Sequence, residues 1–242
     1  MPTMPSSNRI AVTVIGAGIV GAAISYTLAK CGASVTVIER NYPGSGATSH
    51  SFAWINATAK HPVSYHDFNR RSLAMWDRFA KDLDVDVGLR WGGQIEWSST
   101  EEGADELKSR AAQLHAWGYP CRILDSAQVS QLEPSLSPGK LTAAIYCELD
   151  GMVEPTLAAS ACIRGAAKHG AKVLLETEVT DVKSDANSVT VVAGGKNIVS
   201  DAVVLAGGVD NTLLAAMAGI NIPQQESPGV VIRTNRISQP IL

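Results

Sequence analysis

The chain has 242 residues, enough for one large domain or two smaller ones around a buried core. Apolar residues make up 45% and charged residues 18%, a balance that excludes a disordered polyelectrolyte. The formal charge is −3, and Lys and Arg form no patch or run, so neither nucleic acid nor an anionic membrane is an expected partner.

The first eight residues are polar and lack a charged segment leading into a long apolar one, so no signal peptide is expected. Residues 10–28 are apolar but broken by three glycines, which suits a strand–turn–helix better than a transmembrane segment. Ile10 to Ile15 reads as a strand buried on both faces. Gly16-Ala17-Gly18-Ile19-Val20-Gly21 follows, then a helical pattern with Val20, Ala23, Ile24, Thr27, Leu28 and Cys31 on one face, stopped by Gly32. Ser34 to Glu39 is a second strand that ends on an acid.

Each part of this unit has a physical task in holding a dinucleotide. Gly16 allows the tight turn, Gly18 allows close approach of the backbone to a pyrophosphate, and Gly21 allows the helix to pack on the strand. The helix N-terminus offers N–H groups and the positive end of its dipole to the phosphates. Glu39, 18 residues after Gly21, is placed to accept hydrogen bonds from a ribose diol and would repel a 2′-phosphate, which disfavours NADP. These residues leave FAD and NAD both open.

The loop that follows reads Gly44-Ser45-Gly46-Ala47-Thr48-Ser49-His50. Thr48 and Ser49 are good N-cap residues, and a second helix N-terminus here would offer further N–H groups to the same dinucleotide. Together the GAGIVG motif, Glu39-Arg40 and the GATS loop resemble the FAD-dependent amine and amino-acid oxidoreductases, the superfamily of D-amino-acid oxidase, glycine oxidase and sarcosine oxidase. The resemblance implies FAD as cofactor, with its pyrophosphate on Gly16, Gly18, Ile19, Val20 and Gly21. It places the adenosine ribose on Glu39 beside Arg40, and Ala47, Thr48 and Ser49 along the pyrophosphate and flavin. In the dimethylglycine and sarcosine dehydrogenase branch a histidine near the position of His50 carries the flavin covalently. Here Ser49 stands where that branch has tryptophan, so covalent attachment, a non-covalent flavin or substrate contact, and a plain imidazole at a helix start all stay open for His50.

Pro62 opens a helix with Tyr65, Phe68, Ser72, Met75, Phe79 and Leu83 on a core-facing stripe. Arg90 to Trp97 reads as one strand with a glycine kink, where Arg90 and Trp91 line a substrate pocket or Arg90 merely buries its stem. Ser99-Thr100-Glu101-Glu102 resembles a capping box opening a helix that ends near Gly118. Strands are expected at 119–124 and 141–149, with a helical turn over 126–132. In the Asp150-to-Pro155 turn, Asp150 and Glu154 are assigned turn and capping roles rather than those of a catalytic pair.

A helix over 155–169, a strand at 172–175 and a meander over 179–184, 188–193 and 196–199 follow. The resemblance implies that Val179 meets the adenine edge through its backbone. Asp201 to Gly208 reads as a buried strand returning to the cofactor sheet, where Gly207 and Gly208 let the backbone approach the cofactor. A short helix over 211–218 precedes an extended tail, and Gly229 to Thr234 resembles the start of another strand.

The expected architecture is α/β: a Rossmann-like FAD-binding domain with a parallel sheet, residues 1–60 and 151–220, and an incomplete α+β substrate region, residues 61–150 and 221–242. The resemblance implies oxidation of the C–N bond of an amino acid or secondary amine by hydride transfer to flavin N5. Family members continue further, with the carboxylate-anchoring arginine and much of the flavin-ring contact in that later part. The catalytic residue is left unassigned, with His50 and Arg90 as the candidates. A small amine or amino-acid substrate and a complementing subunit are the expected partners. Two alternatives stand beside this reading: an inert fold that binds FAD or its ADP half, and an NAD-dependent dehydrogenase, which the GATS loop and the 171–208 pattern disfavour.

The four cysteines, Cys31, Cys121, Cys147 and Cys162, have no metal-ligand spacing and sit in apolar or helical patterns. They read as buried free thiols of a cytoplasmic protein without a metal site.

Overall fold

A computed structural model describes residues 9–225, 227, 229–232 and 235. In chain order the elements are β1 (Ala11–Ile15), α1 (Ile19–Lys30), β2 (Ser34–Ile38), a 3-10 turn (Ala47–His50), β3 (Trp54–Ile55), α2 (Val63–Asp82), β4 (Arg90–Trp91), β5 (Gln94–Ser98) and α3 (Glu101–Ala116). There follow β6 (Arg122–Leu124), α4 (Ser126–Leu132), β7 (Ala143–Cys147), β8 (Gly151–Met152), α5 (Pro155–Lys168), β9 (Lys172–Leu174), β10 (Val179–Ser184), β11 (Val189–Ala193), β12 (Lys196–Ser200), β13 (Ala202–Leu205), a second 3-10 turn (Gly208–Asp210) and α6 (Asn211–Met217). They form two compact units. The first holds the chain through Phe52, Leu83–Val87 and Glu154–Val231; the second holds Ala53–Asp82 and Gly88–Val153.

The first unit is built on a four-stranded parallel sheet in the order β13-β1-β2-β9. The central strands β1 and β2 are β-branched and buried, as strands covered on both faces must be. Helices α1 and α5 pack against each other. Small residues of α1 (Gly21, Ala22, Ser25 and Ala29) are buried together with Tyr26, and a Cβ added to Gly165 would lie 2.7 Å from the Tyr26 ring. This overturns the expected face. Val20 is 64% exposed and Cys31 is an exposed C-cap, because close helix approach selects side-chain size before apolarity. The buried Ser25 hydroxyl is satisfied within the helix by donating to Gly21 O at 2.7 Å.

The antiparallel meander β10-β11-β12 joins Val179, Val182, Val191 and Ala193 to Ile15, Ile38 and Leu214 in one apolar cluster. Strand β13 does return to the sheet beside β1, but as an edge strand with half-buried side chains rather than a fully buried one, since it has a neighbour on one side only. Residues 229–232 form no strand; Arg233 and Thr234, the end of the strand expected there, lie outside the described residues.

In the second unit, two small sheets have the orders β3-β8-β4 and β5-β7-β6. The single strand expected over Arg90–Trp97 is two, in different sheets. Gly93 has φ +77°, and a Cβ there would sit 2.3 Å from the Tyr146 ring, so the chain turns at this point. The expected stripe fails along most of α2, although Leu83, just past the helix, is buried. Phe68 is 69% exposed, and the helix instead buries His66 and Leu73. A histidine can hold that position because its ring packs on Trp117 and Tyr119 and its Nδ1 donates to Ala57 O at 2.7 Å. Helix α3 starts one residue later than expected, with Thr100 as N-cap accepting from Gly103 N–H; the reciprocal capping box belongs to α4, between Asp125 and Gln128. The strand expected over 119–124 is confined to β6, because Tyr119 and Cys121 turn inward ahead of it.

Candidate functional site

In the first unit, the C-terminal ends of β1 and β2 open onto the start of α1. Gly16 has φ +103°, and a Cβ there would overlap Ala206 O at 2.4 Å. A Cβ on Gly21 would lie 2.1 Å from Gly16 O, so the strand–helix junction closes only around glycine at both positions. Gly18 is different: its nearest neighbour would be Thr48 Oγ1 at 3.4 Å, and its face is open.

Four N–H groups begin α1, and each must find an acceptor or a ligand. Ile19 N–H donates to Thr48 Oγ1 at 3.0 Å. Those of Gly18, Val20 and Gly21 have no acceptor among the described residues. Three free donors at the positive end of a helix dipole, beside a glycine with open space, form a cradle for a phosphate group.

Glu39 is buried, and its carboxylate holds the loops around it: Oε2 accepts from Ala17 N–H at 2.8 Å and Oε1 from Asn41 N–H at 2.9 Å. Lone pairs remain on both oxygens for a diol. Arg40 Nη2 pairs with Asp210 Oδ2 at 2.8 Å across an exposed surface.

The GATS loop departs from expectation in its geometry. It forms one 3-10 turn, and Thr48 does not cap a helix of its own. Thr48 caps α1, 29 residues away in sequence, and so fastens the loop over the helix start. Ser49 has its N–H bonded to Gly46 O at 3.0 Å and its hydroxyl within bonding range of Ser45 O and Gly46 O, so its donors are spent inside the loop; Ala47 and Thr48 keep N–H groups without an acceptor among the described residues. His50 is exposed, with Nδ1 at 3.1 Å from Gly46 O and 3.0 Å from Ser49 Oγ. A carbonyl only accepts, so Nδ1 carries the proton, and Nε2 has no partner among the described residues.

Val179 opens β10 with its side chain in the apolar cluster, which leaves its backbone as the part available to a ligand. Gly207 donates its N–H to Asn211 Oδ1 at 2.7 Å, and a Cβ there would meet Leu214 at 2.5 Å; core packing accounts for this glycine. Gly208, with φ +62° and nothing within 4 Å of an added Cβ, is open on that side.

In the second unit Arg90 is exposed on β4 opposite Met152, and the next residue, Trp91, donates its Nε1–H to Asp77 at 2.7 Å. His50 and Arg90 belong to different units. What the sequence reading missed is Asp150. It is fully buried, accepts from Trp54 Nε1–H at 2.9 Å, and accepts a hydrogen bond from the Tyr119 hydroxyl. The Tyr119 ring packs edge-on against His66, whose Nδ1 donates to Ala57 O. Burial pushes the Asp150 carboxyl up to about 6, opposed by the bonds from Tyr119 and Trp54 and by the charge of Lys60. Burial, and then the bond to Asp150, push the Tyr119 hydroxyl well above its ordinary range. No local signal marks Asp150, because its partners lie 31 and 96 residues away. Glu154 begins α5 without a side-chain capping bond, and Pro155 takes the first helical position.

A parallel sheet that ends at a glycine-lined helix start with unpaired N–H groups and a buried acid defines a dinucleotide-binding α/β fold. The FAD dependent oxidoreductase family matches residues 11–241, and the chain belongs to it. FAD is its cofactor, and the cradle at α1 fits the pyrophosphate of that group. The chain is 31% identical over 222 residues to the glycine oxidase of Geobacillus kaustophilus, covering 89% of this chain and 59% of the relative. The crystal structure of glycine oxidase from that organism superposes with a TM-score of 0.82, covering 88% of this chain and 59% of that one. One of the subunits of the opine oxidase of Rhizobium meliloti is 26% identical over 94% of this chain and 64% of its own length. Human mitochondrial sarcosine dehydrogenase is 28% identical over 98% of this chain and 26% of its own. The chain thus spans about three fifths of the glycine and opine oxidase relatives it matches. No helix among the described residues is long and apolar enough to cross a membrane.

Proposed function

We propose that this chain binds FAD and contributes to the oxidation of the C–N bond of an amino acid or secondary amine. The observation that carries the reading is the cradle at the start of α1, with three unpaired N–H groups, a glycine open to a ligand and Glu39 beside it. The free N–H groups of Gly18, Val20 and Gly21 hold the pyrophosphate, while Gly16 gives the turn its space and Ile19, its N–H bonded to Thr48, ties the loop to the helix start. Glu39 takes the ribose diol, with Arg40 at its rim. The free N–H groups of Ala47 and Thr48 face the same ligand, Val179 serves the adenine through its backbone, and Gly208 leaves room beside it. The first unit, the chain through Phe52 with Leu83–Val87 and Glu154–Val231, serves as the cofactor domain, and the second forms part of a substrate region.

FAD supplies the hydride acceptor when bound. The protein orients the substrate carbon and excludes water, and no side-chain base is required if the amine enters neutral. The similarity to a protein named as one subunit of an opine oxidase supports a complementing chain as partner. Unpaired cysteines suit a reducing compartment, and we place the protein in the cytoplasm.

The test is purification and reconstitution. A yellow protein, or a colourless one that takes up FAD, is the expected result. Failure to take up FAD or its ADP half overturns the cofactor assignment. A chain that binds FAD but shows no flavin bleaching with a panel of N-methyl and D-amino acids, alone or with a candidate partner chain, refutes the catalytic part.

A further inference from the structure

Cys121 and Cys147 lie side by side in the second unit, both buried, with Sγ atoms 3.5 Å apart. The register of β6 on β7 pairs Arg122 with Tyr146, Ile123 with Ile145 and Leu124 with Ala144. One step further along the same ladder sets Cys121 opposite Cys147. Neither carbonyl is spent on the other residue: Cys121 O takes the His115 imidazole and Cys147 O takes Asp150 N–H. Cross-strand neighbours in an antiparallel ladder have Cα atoms about 4.5 to 5.5 Å apart, within the range a disulfide spans.

We propose that Cys121 and Cys147 form a reversible dithiol–disulfide couple that hydroperoxides oxidise. Cys121 is the attacking sulfur. It accepts the S–H of Cys147 and lies near the Arg110 guanidinium, and both favour its thiolate. Its sulfur attacks one peroxide oxygen, the O–O bond breaks, and Cys121 sulfenic acid and water form. The Cys147 sulfur then attacks Cys121 Sγ; the S–S bond forms, the S–O bond breaks, and the second water leaves with the Cys147 proton. Two thiols are oxidised and one hydrogen peroxide is reduced to two waters. Access comes from the fold itself. Cys121 precedes β6, which is three residues long and lies at the edge of its sheet, so fraying at this end exposes the sulfur. Cys31 is exposed but has no partner thiol nearby, and Cys162 is buried in α5.

The experiment treats the full purified chain, reduced and then freed of reductant, with hydrogen peroxide. Intact mass and thiol titration in denaturant are followed. The expected result is a mass fall of about 2 Da with loss of two of the four thiols, reversed by dithiothreitol. Peptide mapping of the wild type without reduction must find Cys121 joined to Cys147, a readout that needs no variant and does not depend on flavin. In Cys121→Ser the mass fall disappears; in Cys147→Ser, Cys121 gains oxygen instead. Cys121 and Cys147 both persisting as thiols at peroxide levels that oxidise Cys31 overturn the proposal, as does stepwise oxygen addition at Cys121 in the wild type without a cross-link.

Discussion

Replacing Asp150 by asparagine isolates the cost of the buried charge. The side chains have the same shape. Asparagine Oδ1 can accept from Trp54 Nε1–H while its amide donates to the Tyr119 oxygen, so the fold keeps its packing. The carboxyl titrates at about 6 in the folded chain against 3.8 in an unfolded one, because burial penalises the charged form. A raised pKa means the folded state holds a proton that the unfolded state has already lost. The resulting stabilisation is fully present below pH 3.8 and is lost as pH rises through 6. A shift of that size amounts to about 3 kcal/mol in all, of which about 2 kcal/mol falls between pH ~4.5 and ~7.5. The asparagine variant has no such titration. Urea unfolding of both proteins, followed by tryptophan fluorescence over that range, should show wild type losing about 2 kcal/mol relative to Asp150→Asn as pH rises. The constant offset between the two absorbs the altered hydrogen bonds, so the slope alone is the test. A difference independent of pH, or one that grows in favour of wild type, would refute a buried carboxylate held as described.

Further substitutions probe the cofactor unit. Gly21→Ala, whose Cβ overlaps Gly16 O, should destabilise the flavin-free protein by about 1–3 kcal/mol, whereas Gly18→Ala, which meets only Thr48 Oγ1 at 3.4 Å, should leave its thermal midpoint nearly unchanged and weaken FAD binding in a titration. Thr48→Val removes the acceptor of Ile19 N–H and should cost about 1–2 kcal/mol, with Thr48→Ser restoring most of it in the same unfolding assay. If His50 carries flavin covalently, acid-precipitated wild type stays yellow and His50→Ala gives a colourless pellet; a wild-type pellet that releases all its colour refutes the linkage.

The strand–glycine–helix–strand–acid order from Ile10 to Glu39 was legible because it is local. Its period changes from strand to helix within a few residues, and each glycine answers a short-range steric demand at Gly16 or Gly21. The meander over 179–199 and the helices α5 and α6 were legible for the same reason, with turn residues and periodic apolar positions inside one window. Long-range fit was not legible. Apolarity predicted the wrong faces for α1 and α2, since size complementarity against α5 decides one and a histidine packed on Trp117 and Tyr119 and bonded through Nδ1 decides the other. Thr48 read as the cap of its own helix became the cap of α1, because an orphan N–H takes whichever acceptor the tertiary fold brings near. Asp150 read as a turn residue became a buried hydrogen-bonded carboxylate, and Cys121 and Cys147, scattered in sequence, became neighbours across a ladder. Local sterics and periodicity are written in consecutive residues. Which side chains share a desolvated space depends on segments tens of residues apart, and only the tertiary structure decides that.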